Sequence, residues 1–371
     1  MKRPLDIVVL GLSLSSSWGN GHATTFRALL RGLAAEGHRI LFLERDVPWY
    51  ASHRDLPEPD FCELAYYTDI GDMLSVYRDR LEQADAVIVG SYVPEGIKLI
   101  DKLASLPLRR LCFYDIDTPV TLAKLDRGDE EYLALRQMPI FDAYFSFSGG
   151  QVLTRIEQDY RALKAVALYC SVDAERYVNT GETPVWDLGY LGTYSLDRQP
   201  TVERLLIEPA RRLPNARFVV AGPQYPDTID WPENVERIEH LPPSEHASFY
   251  SRQRFTLNVT RQDMIAAGWS PSVRLFEAAA CRSPIISDFW RGLTDLLPED
   301  EAIVIADSPQ DVVDTLTGLD EWTRLNIAAD AHRRVQEGHT GHARAQELVD
   351  AIAAMPVRSS HASKDGMRKT A

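Results

Sequence analysis

Residues 6–45, "DIVVLGLSLSSSWGNGHATTFRALLRGLAAEGHRILFLER", decide the fold. An unbroken apolar run ends at Gly11 and a second one, "RILFLER", begins at Arg39. Between them "TTFRALLRGLAAEGH" carries apolar residues at helical spacing and closes on Gly37, a residue suited to the left-handed position that ends a helix. Strands that are apolar throughout, rather than alternating, are covered on both faces. Together with a helix between them, this predicts a parallel β-α-β unit.

The pattern recurs along the chain. "AVIVG", "RRLCFYDI", "AYFSFS" and "AVALYC" follow as strand candidates, and then comes a polar stretch, "VDAERYVNTGETPVWD". Beyond it lie "LGYLGTY", "RFVVAGP", "VERIEHL", "FTLNV", "SPIISDF" and "AIVIA". Two runs of six strands separated by a polar break predict two doubly wound α/β domains. The expected boundaries are 1–171 for the first domain, 172–186 for a linker and 187–355 for the second domain with its terminal helices. Residues 356–371, almost without large apolar side chains, read as a disordered tail. Two such domains are expected to face each other across a cleft, with ligands at the carboxyl ends of the strands.

Composition narrows the class. With 371 residues, 45% hydrophobic and 25% charged, the chain suits a globular protein with substantial cores. A net charge of −14 argues against a general nucleic-acid binder. No apolar run reaches the roughly 20 residues of a membrane span. The basic start and the apolar run after it read as a first core strand, not a signal peptide, because Asp6 interrupts the run and a glycine turn follows. Cys62, Cys112, Cys170 and Cys281 are far apart and make no metal spacing, which fits reduced thiols in the cytoplasm. The sequon "NVT" at 258–260 falls in an apolar strand and reads as an accident of the core.

The chemistry is sought in the loops after the strands. In "SSSWGNGHATTF" the glycine loop Gly19-Asn20-Gly21 permits a tight turn, Thr24 or Thr25 is a cap candidate, and backbone amides are expected to face an oxygen-rich ligand. His22 is a candidate base or ligand contact. "FYDIDTPVT" offers Asp115 and Asp117 on one face of a strand end. An acid before Thr-Pro is a good helix start, so capping and substrate hydrogen bonding are preferred to metal binding, and Asp117 joins His22 as a catalytic candidate. "SFSGGQVL" (146–153) is another glycine-rich helix opening, structural or an acceptor contact.

In the second half, Gly192, Thr193 and Arg198 offer backbone amides and a cation suited to a diphosphate. Gly222 ends a strand where a flat ring can pack on bare backbone. "SPSVRLFEAAACRSP" (270–284) then presents Ser270 or Ser272 as a cap, with Arg274 and Glu277 three apart on one helical face. The apolar flank "LFEAAAC" is wrong for a solvated ion pair. A carboxylate there suits the vicinal hydroxyls of a ribose, both of which donate.

"SVRLFEAAACRSPIISDFWRGL", "FYDIDTPVTLAKL", "FDAYFSFSGG", "LYCSVDAERY" and "LGTYSLDR" together resemble, in order, the blocks of the CgeB-like (spore maturation protein-like) glycosyltransferases, relatives of the retaining group 1 enzymes, over roughly residues 5–350. The resemblance implies the α/β GT-B fold and a nucleotide-diphosphate-sugar donor bound mainly by the second domain. It also implies no obligatory metal or other cofactor. Glu277 matches the glutamate that holds the donor ribose, and the Gly192–Arg198 region matches the diphosphate site. The Gly19–Gly21 loop matches the family's first glycine loop. Two positions depart from the pattern. Trp269 stands where the wider group has a glutamate near the transferred sugar, and Arg282 stands where the family has glycine.

These readings converge on a cytoplasmic, metal-independent, retaining glycosyltransferase with an unknown acceptor. A 2-epimerase of nucleotide sugars on the same fold is the alternative within enzymes. A non-catalytic nucleotide- or sugar-binding protein is the alternative outside them.

Overall fold

The computed structural model describes residues 3–18 and 21–358. The chain forms two compact units: residues 1–146, 153–166 and 345–371 make the first, and 147–152 with 167–344 the second.

The first unit is built on seven strands: β1 (Asp6–Gly11), β2 (Arg39–Arg45), β3 (Glu63–Tyr67), β4 (Ala86–Gly90), β5 (Leu111–Asp115), β6 (Ala143–Ser146) and β7 (Ala165–Ala167). They lie in the order β3-β2-β1-β4-β5-β6-β7, and the order reverses beside β1. β1 pairs in parallel with β2 on one side and β4 on the other, and Ile7, Val8, Val9 and Leu10 are buried. The continuous apolar runs thus lie where two covered faces require them. β3 is the strand that sequence reading passes over: "ELAYY" is half-exposed at the sheet edge, so nothing forces its residues to be apolar.

The second unit carries β8 (Trp186–Leu191), β9 (Phe218–Ala221), β10 (Val235–Ile238), β11 (Gln253–Asn258), β12 (Ile285–Ser287) and β13 (Val304–Ile305). Their order is β10-β9-β8-β11-β12-β13, all recorded pairings are parallel, and the reversal falls between β8 and β11. Its core splits over the two sheet faces. Trp290, Phe276, Phe249 and Tyr250 lie in one cluster, and Phe218, Phe255, Leu205 and Leu206 in the other.

The end of the chain departs from expectation. The sequence assigns residues through 355 to the second domain, yet residues 345–358 group with the first unit. Arg110 donates to the Met355 carbonyl at 2.8 Å, and the amide of Arg358 donates to the Arg109 carbonyl at 3.0 Å. Such long-range backbone ties leave no local mark in the sequence. Most of the expected tail lies outside the described residues.

The helix Val273–Ala280 ends in a left-handed residue. Arg282 has φ +57°, and the amides of Arg282 and Ser283 close on the carbonyls of Ala279 and Ala278 at 3.0 and 2.9 Å. This is the two-bond closure that usually places glycine at that position. The turn keeps its shape and the arginine carries the strain, of roughly 1–2 kcal/mol.

Candidate functional site

In the second unit, the loops after β8, β9 and β11 meet at the strand-order reversal. Gly192 follows β8, and its amide donates to the Ala221 carbonyl at 2.9 Å. A Cβ on Gly192 would lie 2.6 Å from the Tyr190 hydroxyl and 3.0 Å from Nη2 of Arg274. Gly222, after β9, has φ +138°, and a Cβ there would lie 2.2 Å from the Gly192 carbonyl oxygen. Both glycines are therefore required by close approach, which brings backbone and Arg274 to one spot.

Arg274 is buried. Its Nε donates to the Leu191 carbonyl at 2.7 Å and its Nη1 to Asn258 Oδ1 at 2.9 Å, while the guanidinium lies 4.9 Å from the centre of the Tyr190 ring. Arg198 folds over the neighbouring loop, with Nε on Ser195 Oγ at 2.8 Å and Nη2 on the Thr193 carbonyl at 2.5 Å. Burial lowers the pKa of Arg198, and the nearby cations Arg274 and Arg261 lower it further. Cations gathered near one another make a field that favours an anion.

Ser272 occupies the position before the helix as expected, but its hydroxyl does not cap the helix. It donates to Asn258 Oδ1 at 2.8 Å. Ser270 donates to the Gly268 carbonyl and pairs with Ser148 Oγ at 2.6 Å. Asn258 is thus the hub that sequence reading missed. It receives Ser272 and Arg274 and gives its own amide hydrogens to Thr260 and Ser287. Its place at the carboxyl end of β11 was the available signal.

Glu277 and Arg274 do not form a surface ion pair; both are buried. The Tyr250 hydroxyl donates to Glu277 Oε2 at 2.9 Å. Tyr177 also faces this carboxylate: burial raises its phenol pKa, and the charge and hydrogen bonding of Glu277 raise it further. Neither tyrosine stands at a telling spacing from Glu277 in the sequence.

Trp269 has φ +41°. Cβ atoms on Gly150 and Gly292 would lie 2.2 and 2.3 Å from its indole, and its Nε1 donates to Asp295 at 2.9 Å. The "SFSGG" glycines therefore have a packing role, since Gly149 likewise makes room for the Tyr169 ring.

In the first unit, Gly19 and Asn20 lie outside the described residues, and Gly21 opens the helix Gly21–Ala35, ahead of the expected caps Thr24 and Thr25. Four of the amides before that helix do not await a ligand. Glu44, fully buried, accepts from the amides of Leu14 and Ser15 at 2.6 and 2.9 Å, and Ser16 and Ser17 donate to Ser13 Oγ and to Asp55. The loop supplies its own anions.

Further along the same edge, the ring of His22 meets Tyr92 edge-on at 5.4 Å, and the Tyr92 hydroxyl donates to Asp117 Oδ2 at 3.2 Å. Burial lowers the pKa of His22 to about 4, so its imidazole is neutral at physiological pH. Asp117 stands at the start of the helix Thr118–Asp126 as expected, with its carboxylate turned to Tyr92 instead of the helix amides. Asp115 is fully buried. Its carboxylate accepts from Tyr144 at 2.5 Å, Thr121 at 2.8 Å and the Asp117 amide at 3.1 Å, so the two aspartates do not converge on a common ligand. No group of three or more His, Cys, Asp or Glu placed to hold a metal occurs among the described residues.

Burial raises the pKa of Asp115 to about 6, against these hydrogen bonds. The folded state therefore holds this proton more tightly than an unfolded aspartate. The resulting stabilisation is complete below about pH 4 and is lost as pH rises through about 6. Melting curves of wild type and Asp115→Asn should consequently shift relative to each other, in the variant's favour, between about pH 4 and 7. A difference independent of pH would contradict this assignment.

Residues 198–350 match the family model described as "Glycosyl transferase-like", which is less than half of the chain. No curated protein matches the sequence. Sucrose-phosphate synthase from Thermosynechococcus elongatus is similar in structure, with TM-score 0.69 at 12% identity over 94% of this chain and 98% of that one. Anabaena Alr3699/HepE in complex with UDP and glucose gives 0.65 at 11% identity, over 95% and 100%. An alpha-glucosyltransferase (AGT) in complex with UDP gives 0.66 at 14% identity, over 94% and 100%. The fold is GT-B. Among the described residues no helix is long and apolar enough to cross a membrane.

Proposed function

We propose that the protein is a glycosyltransferase that takes a sugar from a UDP-sugar, without a metal and with retention, and passes it to a hydroxyl acceptor. The carrying observation is the meeting of the Gly192–Thr193 backbone, Arg198 and Arg274 at the strand-order reversal of the second unit. A diphosphate placed there adds negative charge beside guanidinium groups that lower the pKa of Arg198. As the sugar leaves, the same groups stabilise the charge that develops on the diphosphate. Glu277 accepts hydrogen bonds from the ribose, and Gly222 leaves bare backbone for a flat ring. UDP in two of the structural neighbours supports the choice of nucleotide.

The CgeB-like resemblance remains part of this reading, as does a cytoplasmic setting, with which the four free thiols agree. His22 and Asp117 are the groups of the first unit to test for catalysis. In Asp115 both carboxylate oxygens are engaged by protein donors, which supports capping and hydrogen bonding over metal ligation. Release of UDP from UDP-glucose and related donors should therefore survive excess EDTA. Loss of activity restored by Mn²⁺ or Mg²⁺ would contradict the metal-free reading, and UDP-sugar isomerisation without transfer would favour an epimerase.

A further inference from the structure

Two tryptophans of the first unit are exposed beside the glycine loop: Trp18 by 49% and Trp49 by 62%. Single exposed apolar residues are ordinary, but these two are joined. The imidazole of His53 stacks on Trp18 with centroids 4.7 Å apart and planes 16° from parallel, and Trp49 lies 5.9 Å from the same imidazole. Hydrogen bonds hold the cluster in place. His53 Nδ1 contacts the Trp49 carbonyl at 3.0 Å, and Ser16 Oγ donates to the His53 carbonyl at 2.8 Å. Asp55 receives the Ser17 amide and hydroxyl and both terminal nitrogens of Arg27, while its amide donates to the Ser15 carbonyl. The rings are therefore fixed before any ligand arrives, which lowers the ordering cost of binding.

Position adds a second argument. Trp49 and His53 follow β2, Trp18 follows β1, and Tyr92 and Asp117 follow β4 and β5. These four strands are consecutive neighbours in one parallel sheet, so all five side chains stand on the same edge. The loops that carry the aromatic cluster and the Tyr92–Asp117 pair therefore follow one another along that edge.

The rim identifies the occupant. Arg54 pairs with Asp46 at 2.7 Å and stacks on Tyr66 at 3.9 Å, and Asp55 lies beside Ser17. Flat apolar rings bordered by fixed, charge-neutralised donors and acceptors match a pyranose, with its C–H face and hydroxyl perimeter. An acyl chain would bring no hydroxyl groups to that polar rim. An anionic lipid surface would want unpaired cations, whereas here Arg27 and Arg54 are both paired with aspartates.

We propose that Trp18, His53 and Trp49 form a stacking subsite for a saccharide ring, and that the acceptor is a saccharide or glycoside. The acceptor assignment rests on the transferase reading above; the subsite itself does not.

The test titrates full-length protein with methyl glucopyranoside, methyl galactopyranoside and methyl mannopyranoside, following the tryptophan indole signals by NMR. UDP is titrated in parallel by calorimetry. At least one glycoside should shift two indole signals saturably, those that disappear in Trp18→Ala and Trp49→Ala. Each alanine variant should weaken that binding by about tenfold, as loss of an aromatic contact predicts, and leave UDP affinity unchanged. Trp49→Phe, which keeps a ring, should retain most of the binding and guards against misfolding of the alanine variants. Glycosides that leave both indoles unmoved while UDP binds would overturn the subsite. So would Trp49-dependent binding to phosphatidylglycerol vesicles, which would assign the cluster to a lipid surface. Saturable glycoside binding without UDP binding would keep the subsite but overturn its role as the acceptor site of a transferase.

Discussion

Gly222→Ala is expected to lower the melting temperature by roughly 6–12 °C and to abolish measurable UDP binding. At φ +138° the backbone occupies a region that side chains rarely enter, and the new Cβ would sit 2.2 Å from the Gly192 carbonyl oxygen and 3.1 Å from the Thr193 nitrogen. Neither atom is free to retreat. Gly192 is tied to Ala221 through its amide and to the Tyr225 hydroxyl through its carbonyl, and Gly222 donates to Ile238 at 2.8 Å. Relief would require β8, β9 and β10 to separate at their carboxyl ends. A backbone clash combined with positive-φ strain costs about 3 kcal/mol. The Thr193 amide, offered to the diphosphate, is the group displaced. Scanning calorimetry checks the first expectation, and a variant melting within about 2 °C of wild type would show that the loops are not locked as described.

Much of this architecture was legible because burial on both faces forces an uninterrupted apolar run. All twelve strand candidates coincide with observed strands to within two residues at their starts, and "RILFLER" and "AVIVG" coincide in full. β3 was lost because its edge position lets Glu63, Leu64, Ala65 and Tyr66 stay partly exposed. Residues of the candidate site were legible wherever local packing constrains them, as at Gly192 and Gly222, where an added Cβ meets its neighbours at under 3 Å. Partners from distant segments were not. Nothing near Glu277 announces Tyr250 or Tyr177, and nothing near the glycine loop announces that Glu44 fills the amides of Leu14 and Ser15. A buried carboxylate can serve an outside ligand or the loop above it, and the residue type is the same in both cases.

That ambiguity bears most on Glu277. A carboxylate that served only an outside ribose would let glutamine replace it at little cost to folding. The structure alters that expectation, because the carboxylate already receives the Tyr250 hydroxyl at 2.9 Å and faces the Tyr177 phenol. Glutamine keeps one acceptor oxygen and turns an N–H₂ toward the remaining donors, so a loss of about 1 kcal/mol of stability is expected. Tyr250→Phe removes the same internal bond without touching the carboxylate. It should share the loss of stability and keep the affinity for nucleotide.

If Glu277 holds the ribose of a uridine nucleotide, calorimetric titration of UDP into wild type, Glu277→Gln and Tyr250→Phe will set Glu277→Gln apart from the other two. Wild type and Tyr250→Phe should bind UDP alike. Glu277→Gln should bind roughly tenfold to a hundredfold more weakly, the equivalent of one lost hydrogen bond to a charged group. A folded Glu277→Gln variant that binds UDP as tightly as wild type would contradict the account.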